Sequence, residues 1–356
     1  MRVGGGGSRR GRPPFNRLLG YVAAMAAHLE RTPRRKGRNP AMQKILTVTL
    51  NPALDLATTV ERMQPGRKLR CEGARLDPGG GGVNVSRVIR AFGGKSTAFV
   101  ALGGPTGRMM RELMLAQGLD LAEFRIKGDT RQDITIDEAA HKRQYRLVLQ
   151  GPHWTRQQTQ AALAEIARLA AHYDYIVASG SLPPGVPEDF YARLARLARR
   201  LAKRLVLDTS GAPLRLALAA GVFLVKPNHI EFADLAGARG GDWKTMARVG
   251  QRLLARGEAE AMIVTRGDKG ALAIGPDGAW RLQAPKVKIA SLVGAGDSLI
   301  GATVLNLARG KSLLEAARMG VAAAAAAVES EGTELASRRE TLRLARRTKV
   351  WDVGPG

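Results

Sequence analysis

The residues with the clearest chemical potential lie in SLVGAGDSLIGATVLNLARG, residues 291 to 310. Three small residues, Gly294, Ala295 and Gly296, precede Asp297, and apolar residues at helical spacing follow. Small residues at a helix N-terminus let backbone N–H groups converge on an anion, which the helix dipole also favours. A carboxylate directly behind them suits a general base that takes the proton of an alcohol attacking a γ-phosphate. The alternative is a glycine-rich helix start that Asp297 caps.

A second group of candidates lies in KPNHIEF, residues 226 to 232, and in TRGDKG, residues 265 to 270. Asn228 and Glu231 stand three residues apart and suit Mg²⁺, which takes a few protein oxygens together with phosphate. The alternative is a turn followed by a helix start. Gly267 and Gly270 follow an apolar run, where the backbone can pass close to a nucleotide. The sequence has neither a GxxxxGK[ST] loop nor the HRD and DFG sets of protein kinases.

A third group lies near the start of the regular sequence, in NPALD and PGGGGVN. Asp55 follows the first apolar run, and its carboxylate can accept hydrogen bonds from two neighbouring sugar hydroxyls. Four glycines, 79 to 82, let the backbone lie against a polyhydroxy ring because no Cβ intervenes, and Asn84 adds a side-chain amide. The alternatives are a flexible hinge for the glycines and a turn or cap role for Asp55.

The elements that must position these residues follow a regular alternation. Apolar runs end in small or polar residues, and helical patterns stand between them. This predicts an α/β fold in which helices flank both faces of a mostly parallel central sheet, with ligands bound beyond the carboxyl ends of the strands. The predicted strands are 44–50, 96–104, 175–181, 204–211, 222–228 and 261–270, and the clearest helical patterns are 159–172, 188–203 and 245–256.

Two segments interrupt this rhythm, roughly residues 57–76 and 124–150. Both alternate apolar and polar residues and contain turn signals, which predicts antiparallel ribbons that form a small β-sheet lid over the edge of the main sheet. The ribbons carry Lys68, Arg131 and Arg146, where positive charge would meet phosphate. In a chain this rich in arginine, the alternative for each of these side chains is the solvated surface.

The composition narrows the class of protein. The chain has 356 residues, 45% of them hydrophobic, which suits one large domain or two smaller ones. A single cysteine, Cys71, excludes a disulfide framework, and five scattered histidines give no zinc-site spacing. The apolar stretches are shorter than the roughly 20 residues of a membrane span. We expect a soluble, cytoplasmic protein with no membrane partner.

The net charge of +25 is spread unevenly. Residues 1–41 hold ten Arg or Lys and one acid, and we expect a disordered basic extension ahead of the regular sequence that starts at Met42. The alternatives for this arm are an organelle-targeting peptide and a secretory signal. Residues 191–205 predict a basic amphipathic helix with a solvated face. A nucleic-acid footprint would fit that charge, but aromatic residues are only 4%, so we expect no nucleic-acid partner.

Five stretches together resemble a known family. PGGGGVNVSR and VGAGDSLIGA are similar to the two signatures of the ribokinase-like carbohydrate kinases, and SGSLPPG, DTSG and KPN fall between them in that family's order. The similarity runs from Met42 to about residue 345. It implies a ribokinase-like three-layer fold over residues 42–350, with ATP and Mg²⁺ as nucleotide and metal.

Within that family the chain resembles the phosphosugar branch. LNPALD is typical of the whole branch, whereas GRKLRC followed by PGGGGVN, and DTRQD around Arg131, resemble the type 2 6-phosphofructokinases. The 1-phosphofructokinases and tagatose-6-phosphate kinases commonly have lysine at the position of Gly81. The resemblance therefore implies ATP-dependent phosphorylation of fructose 6-phosphate at its 1-hydroxyl. The alternatives are tagatose-6-phosphate kinase or 1-phosphofructokinase activity and, in a different class, a polyanion-binding protein on a degenerate kinase fold.

The resemblance also implies a role for each matching position. Asp297 would be the base, and the anion hole would be formed by the amides of Gly294, Ala295 and Gly296. The groups implied to hold the sugar are Asp55, Gly80, Gly81 and Asn84. Arg131 and Ser181 would bind the 6-phosphate, and Lys68 would reach from the lid towards the phosphates. The groups implied for the nucleotide and Mg²⁺ are Lys226, Asn228, Glu231, Thr265, Gly267 and Gly270.

Two further features are implied by the family alone. Its members often bind K⁺ beside the anion hole through backbone oxygens, and the matching positions here are Ser291, Val293, Ala327, Ser330 and Gly332. The wider family usually has Asp at the position of Ser291, although the type 2 branch tolerates Ser. The family's lid commonly forms a dimer interface, which implies a homodimer through the β-sheet lid.

Overall fold

Strands and helices alternate along the chain as the apolar runs predict. The computed structural model describes residues 42–237, 241–330 and 334–354. The expected disordered extension 1–41 and the expected K⁺ position Gly332 lie outside these residues. The strands are β1 (Ile45–Thr49), β2 (Ala53–Val60), β3 (Glu72–Gly79), β4 (Thr97–Leu102), β5 (Asp120–Arg125), β6 (Arg131–Glu138), β7 (Arg143–Val148), β8 (Tyr175–Ser179), β9 (Arg204–Asp208), β10 (Val222–Val225), β11 (Ala259–Thr265), β12 (Ala271–Gly275), β13 (Gly278–Gln283) and β14 (Lys349–Asp352).

The helices lie between these strands, and a 3₁₀ turn at Gly267–Lys269 joins β11 to β12. They are α1 (Gly81–Ala91), α2 (Gly104–Ala116), α3 (Arg156–Ala170), α4 (Phe190–Arg200), α5 (Gly211–Ala220), α6 (His229–Ala236), α7 (Trp243–Ala255), α8 (Ala295–Ala308), α9 (Leu313–Val328) and α10 (Arg338–Arg347). Among the described residues, none of these helices combines the length and the apolar character that crossing a membrane requires.

A ten-stranded sheet in the order β14-β13-β12-β11-β10-β9-β8-β1-β4-β5 forms the centre of the fold. Neighbouring strands are parallel from β11 to β5, whereas β12, β13 and β14 add an antiparallel extension. All six predicted strands lie next to one another in the parallel part. The predicted mostly parallel α/β sheet is therefore confirmed, and the ends of these strands meet at one edge.

Each face of the sheet carries its own apolar core, because successive side chains of a strand point to opposite faces. Residues of α3, α4, α5 and α7 cover one face, and residues of α1, α8, α9 and α10 cover the other. The second core fixes the helix that carries Asp297. A Cβ on Gly320 of α9 would lie 2.8 Å from the Leu299 carbonyl oxygen of α8, so the two helices approach at backbone distance.

A separate four-stranded sheet in the order β3-β2-β6-β7 forms the lid. Its central pair, β2 and β6, is parallel, so the prediction of two purely antiparallel ribbons is wrong in this respect. Phe124 and Arg125, expected in the second ribbon, belong instead to β5 at the edge of the large sheet. Tertiary pairing decides both points, because each ribbon's alternation is compatible with either direction of its neighbour.

The register of the lid sheet gives it two different faces. One row across the strands carries carboxylates, namely Asp77, Asp55 and Asp133. The next row, which points to the opposite face, is apolar and consists of Leu76, Leu56, Ile134 and Leu147. The lid therefore turns a charged face to one side and a row of leucine and isoleucine to the other.

Candidate active site

Asp297 lies in the first turn of α8, at the carboxyl edge of the large sheet. The helix begins after Gly294, which has a φ of 73°, and the Asp297 side chain does not cap it. The first intrahelical hydrogen bond runs from the Ser298 N–H to the Gly294 carbonyl at 2.8 Å. The amides of Ala295, Gly296 and Asp297 precede it and have no acceptor within the helix. This is the arrangement that an anion-binding helix start requires.

Two side chains from other elements contact the Asp297 carboxylate. Asn84 of α1 donates from Nδ2 to Oδ2 at 2.9 Å, and Ser179 at the end of β8 donates from Oγ to Oδ1 at 3.5 Å. Asn84 and Asp297 are 213 residues apart in sequence. The fold therefore brings together the two glycine-rich stretches that the sequence singles out.

The surroundings of Asp297 raise its pKa to about 7. Burial is the largest cause, and the Asp208 carboxylate at the end of β9 acts in the same direction. The Asn84 hydrogen bond, Lys226 and the Ser179 hydrogen bond lower the pKa, but they do not outweigh burial. A carboxylate that titrates near neutral pH is well suited to accept a proton during catalysis.

A buried ion pair stands next to Asp297. Lys226 Nζ lies 3.0 Å from Asp208 Oδ1, and only 10% of the Lys226 side chain is exposed. Burial is the largest single cause and lowers the pKa of Lys226, but the carboxylates of Asp208, Asp297 and Glu231 together raise this pKa above its ordinary value, so the ammonium stays charged. A Cβ on Gly296 would lie 3.5 Å from Lys226 Nζ, which places this charge beside the first turn of α8.

The four glycines before α1 allow close packing within the chain itself. A Cβ on Gly79 would lie 2.5 Å from Asp55 Cγ, and a Cβ on Gly81 would lie 2.8 Å from the Ser179 backbone carbon. Gly80 has a φ of 103°, a conformation that favours glycine. The space left by the missing Cβ atoms is thus filled by Asp55 and Ser179, and the hinge alternative does not fit these buried contacts.

Asp55 lies in β2, and its pKa is also raised to about 7. Burial is the largest cause, and Asp133 adds to it. Arg131, Arg146 and Arg87 act in the opposite direction. All three arginines thus lie within electrostatic range of Asp55, and two of them, Arg131 and Arg146, are the positive charges that the sequence predicts on the lid.

Arg131 is already engaged within the chain. Its Nη1 forms an ion pair of 2.5 Å with Asp133, and its Nη2 donates to the Asn51 carbonyl at 3.4 Å. The Asn51 side chain in turn donates to Ser181 Oγ at 3.1 Å. The fold therefore links the two expected phosphate ligands through Asn51, and a phosphate at Arg131 would compete with Asp133.

Asn228 and Glu231 form a capping box at the start of α6. Asn228 Oδ1 accepts from the Glu231 N–H at 2.9 Å, and Glu231 Oε2 accepts from the Asn228 N–H at 2.8 Å. The helix-start alternative is thus observed, and it leaves Glu231 Oε1 for another contact. Asn228 also bridges to Thr265 at the end of β11. Beyond that strand a Cβ on Gly267 would meet open space.

The expected K⁺ positions lie on two segments that the fold joins. The Ala290 and Ser291 amides donate to the Val328 carbonyl at 2.8 and 3.3 Å, and the Ser330 amide donates to the Ala327 carbonyl at 3.1 Å. Lys68 is different: it lies exposed on the loop between β2 and β3 and makes no hydrogen bond or ion pair with another described residue.

Sequence reasoning missed three contributors to this site. Asp208 lies in DTSG and Ser179 lies in SGSLPPG, but the resemblance to the family assigns a role only to Ser181 within these two stretches. A signal was available, because both residues end predicted parallel strands whose carboxyl ends share one edge. Asp133, the partner of Arg131, gives no comparable signal, since its pairing depends on side-chain geometry within β6.

The sequence matches one family of known proteins and several of its members. The family model described as pfkB family carbohydrate kinase matches residues 45–340. ATP-dependent 6-phosphofructokinase isozyme 2 of Mycobacterium tuberculosis is 38% identical over 301 residues, covering 85% of this chain and 88% of its own. The isozyme 2 of Escherichia coli is 36% identical over 304 residues, covering 85% and 98%. The 1-phosphofructokinase of Bacillus subtilis is 32% identical over 292 residues, covering 82% and 95%.

Solved structures show the same similarity in three dimensions. Phosphofructokinase-2 of Escherichia coli in complex with fructose 6-phosphate superposes with a TM-score of 0.81 at 34% identity, covering 86% of this chain and 99% of that one. The same enzyme in complex with potassium gives a TM-score of 0.81 at 35% identity, with the same coverage.

Proposed function

The chain belongs to the pfkB family of carbohydrate kinases, and from that premise we propose that it transfers the γ-phosphoryl group of ATP to the 1-hydroxyl of fructose 6-phosphate. The products are fructose 1,6-bisphosphate and ADP. The observation that carries the proposal is the buried Asp297 carboxylate, whose pKa is raised to about 7 and which lies beside a charged lysine and the helix amides that have no acceptor within α8. We assign the kinase domain to residues 42–350, and we propose that the protein acts in the cytoplasm.

In the proposed reaction Asp297 accepts the proton of the 1-hydroxyl as its oxygen attacks the γ-phosphorus. The bond between that phosphorus and the bridging oxygen to the β-phosphate breaks, and ADP leaves. Negative charge on the transferred group is stabilised by the amides that open α8, from Gly294 to Gly296, and by the Lys226 ammonium. Asp208 keeps that lysine charged and in place.

The sugar is assigned to the residues between the lid and α1. Asp55 would accept hydrogen bonds from hydroxyls, Asn84 would contribute its amide, and the backbone at Gly80 and Gly81 would lie beneath the ring. Arg131 and Ser181 would bind the 6-phosphate, which must displace Asp133 from the guanidinium. Lys68 would join them if its exposed loop moves towards the phosphates.

The nucleotide and its ions are assigned to the opposite side of Asp297. Thr265, Gly267 and Gly270 would lie along the nucleotide. The oxygen donors at Asn228 and Glu231 suit Mg²⁺, but their capping contacts leave mainly Glu231 Oε1, so contact through water is expected. Bound Mg²⁺ would neutralise phosphate charge. Backbone oxygens near Ser291, Val293, Ala327 and Ser330 suit K⁺, and a potassium complex of the E. coli enzyme supports this assignment.

The residue at position 81 bears on which phosphosugar is the substrate. The Bacillus relative is a 1-phosphofructokinase, so that activity belongs among the candidates. A side chain at residue 81 would meet the Ser179 backbone at 2.8 Å, and a lysine therefore does not fit this arrangement. The two 6-phosphofructokinase relatives, at 38% and 36% identity against 32% for the 1-phosphofructokinase, also favour fructose 6-phosphate.

The test is an ADP-release assay on the purified full-length chain with Mg²⁺-ATP. Fructose 6-phosphate, fructose 1-phosphate, tagatose 6-phosphate and fructose are compared, and Asp297→Asn serves as the blank. We expect kcat/KM for fructose 6-phosphate to exceed the others by at least about tenfold, a preference of about 1.4 kcal/mol. A clear preference for another phosphosugar would reject the substrate but keep the kinase. Retention on heparin without turnover would favour the polyanion binder.

The apolar face of the lid supports a homodimer. Leu76 and Leu147 are 40% and 49% exposed, and Leu56 and Ile134 between them are partly exposed. A continuous exposed row of this kind marks an association surface, and two-fold pairing of two lids would cover it. We propose that two copies of the chain pack through this face.

Leu147→Asp should therefore weaken the dimer. A two-fold interface places the new carboxylate in it twice, so we expect the dissociation constant to rise by at least about 100-fold. Size-exclusion chromatography with light scattering across a dilution series measures it. Leu216→Asp on α5, where the leucine is 40% exposed against 49% for Leu147, is the control and should stay dimeric. A wild-type monomer, or a variant as dimeric as the wild type, would contradict the lid interface.

A further inference from the structure

The geometry points to Arg87 as a positioning residue for the catalytic base. We infer that Arg87 fixes the orientation of the Asn84 amide, so that its NH₂ group, and not its oxygen, faces Asp297. The inference deepens the proposed function, since it takes Asp297 as the base. Among the groups assigned to substrate binding, Arg87 forms a hydrogen bond only with Asn84, and it acts on Asp55 only through its charge.

Arg87 lies on α1, one turn after Asn84, and 12% of its side chain is exposed. Each of its three nitrogens has a partner. Nε donates to Gln117 Oε1 at 2.9 Å, and Nη2 forms an ion pair of 3.0 Å with Asp77. Nη1 donates to the Pro78 carbonyl at 3.1 Å and to Asn84 Oδ1 at 3.2 Å. The guanidinium is therefore held in place by the residue that follows α2, by β3 and by its own helix.

This contact determines which way the amide points. A guanidinium only donates hydrogen bonds, so the Asn84 atom that faces Arg87 must be the oxygen. Asn84 Nδ2 then faces Asp297 Oδ2 at 2.9 Å. The reversed amide would place N–H groups against the Arg87 donors and an oxygen against the carboxylate. Both contacts would become repulsive at once, so one orientation is strongly preferred.

The orientation matters because it bears on the proton affinity of Asp297. The groups that face this carboxylate are Asn84 from α1, Ser179 from β8, Asp208 from β9 and Lys226 after β10. Of these, Asn84 is the amide, whose two ends have opposite hydrogen-bonding character, whereas the Ser179 hydroxyl also lies 3.4 Å from Asp208 and can donate its proton to either carboxylate. Without Arg87 the amide is free to reverse, and its oxygen would then favour the protonated form of Asp297, which is inactive as a base.

Arg87 can be removed without leaving its main partner alone. Arg75 Nε lies 2.8 Å from Asp77 Oδ2, so Asp77 keeps a cationic neighbour in an Arg87 variant. A loss of function in such a variant is therefore separable from a buried, unpaired carboxylate. The thermal unfolding temperature of each variant shows whether the fold persists.

The test compares pH profiles of kcat for the wild type, Arg87→Met, Asn84→Ala and the double variant, in the full-length enzyme. For Arg87→Met we expect the acid limb to move up by about one pH unit and kcat at pH 7 to fall by about fivefold, with little change in the KM for ATP. In the Asn84→Ala background, Arg87→Met should move the limb no further, because the effect passes through the amide. Arg90→Met, on the same helix but exposed, is the matched control and should leave the profile unchanged.

Other outcomes separate the hypotheses. An Arg87→Met profile like the wild type, or an equal shift in the Asn84→Ala background, would overturn the positioning role. If Arg87→Met does not fold, Arg87→Lys replaces it in the test. Lysine keeps a positive charge beside Asp77, but its single nitrogen cannot also contact Gln117 and Asn84, so we expect the same shift of the acid limb. If Asp297→Asn keeps wild-type turnover, the assignment of the base itself has failed, independently of Arg87.

Discussion

Asp297→Asn is expected to reduce kcat by about 10²- to 10⁴-fold while the affinity for ATP changes by no more than about threefold. The amide cannot accept the proton of the sugar hydroxyl, and general-base catalysis contributes an effect of this size. The variant keeps the shape of the side chain and leaves Lys226, the helix amides and the groups assigned to the nucleotide in place. Steady-state ADP release and titration calorimetry with a non-hydrolysable ATP analogue measure the two quantities.

The matched control is Asp234→Asn, an exposed carboxylate on α6 outside the site, which should keep wild-type kcat. Near-normal turnover of Asp297→Asn would reject Asp297 as the base. In the wild type, kcat/KM should fall as the pH decreases through about 7, because Asp297 must be ionised and its pKa is raised to about 7.

The same raised pKa has a consequence for stability. The pKa of Asp297 is higher in the folded chain than the ordinary value of 3.8, so the folded state binds the proton more tightly. The resulting stabilisation is present at acidic pH and is lost as the pH rises through 7. Asp297→Asn lacks this loss. The stability of Asp297→Asn relative to the wild type should therefore be greater at pH 8 than at pH 5. The difference in unfolding free energy should grow by up to about 1.4 kcal/mol per pH unit, and unfolding temperatures measured at both pH values show its direction.

Gly81→Ala is the second substitution with a large expected effect. Its Cβ would lie 2.8 Å from the Ser179 backbone carbon, so a rotation of the serine side chain does not relieve the clash. Helix α1 must move away from β8, and Asn84 moves with it. We expect the unfolding free energy to fall by about 1–3 kcal/mol and kcat/KM to fall by about 100-fold, since a displacement of about 1 Å at a catalytic contact has effects of that size.

Urea denaturation and steady-state kinetics with fructose 6-phosphate measure both effects. Gly241→Ala is the control, because a Cβ there would lie 3.3 Å from the side chain of the neighbouring Thr245, a contact that a small shift relieves. If Gly81→Ala retained wild-type stability and kcat/KM, the close packing of α1 on β8 would not be required for activity. That result would also remove the geometric argument against lysine at this position.

The sequence by itself determined the class of fold and the region of the site. Apolar runs of strand length separated by helical patterns require a sheet with helices on both faces, because each run can bury its residues only in that way. The stretches around Asn84 and Asp297 could be identified because their glycines have a conformational cost on folding and therefore need a structural reason. Asp55 could be identified because it follows the first apolar run. Their resemblance to a kinase family also came from the sequence and is confirmed by the family match.

The tertiary structure alone decided how these residues act on one another. The Asn84–Asp297 contact spans 213 residues, and no local pattern encodes it. The pairing of Arg131 with Asp133, the placement of Asp208 beside Lys226 and the parallel neighbours β2 and β6 depend on strand order and register. Sequence periodicity reports which face of an element is buried, but not which element covers it. The proton affinity of Asp297 is set by those covering elements, because burial and the charge of a neighbouring strand end are its largest causes.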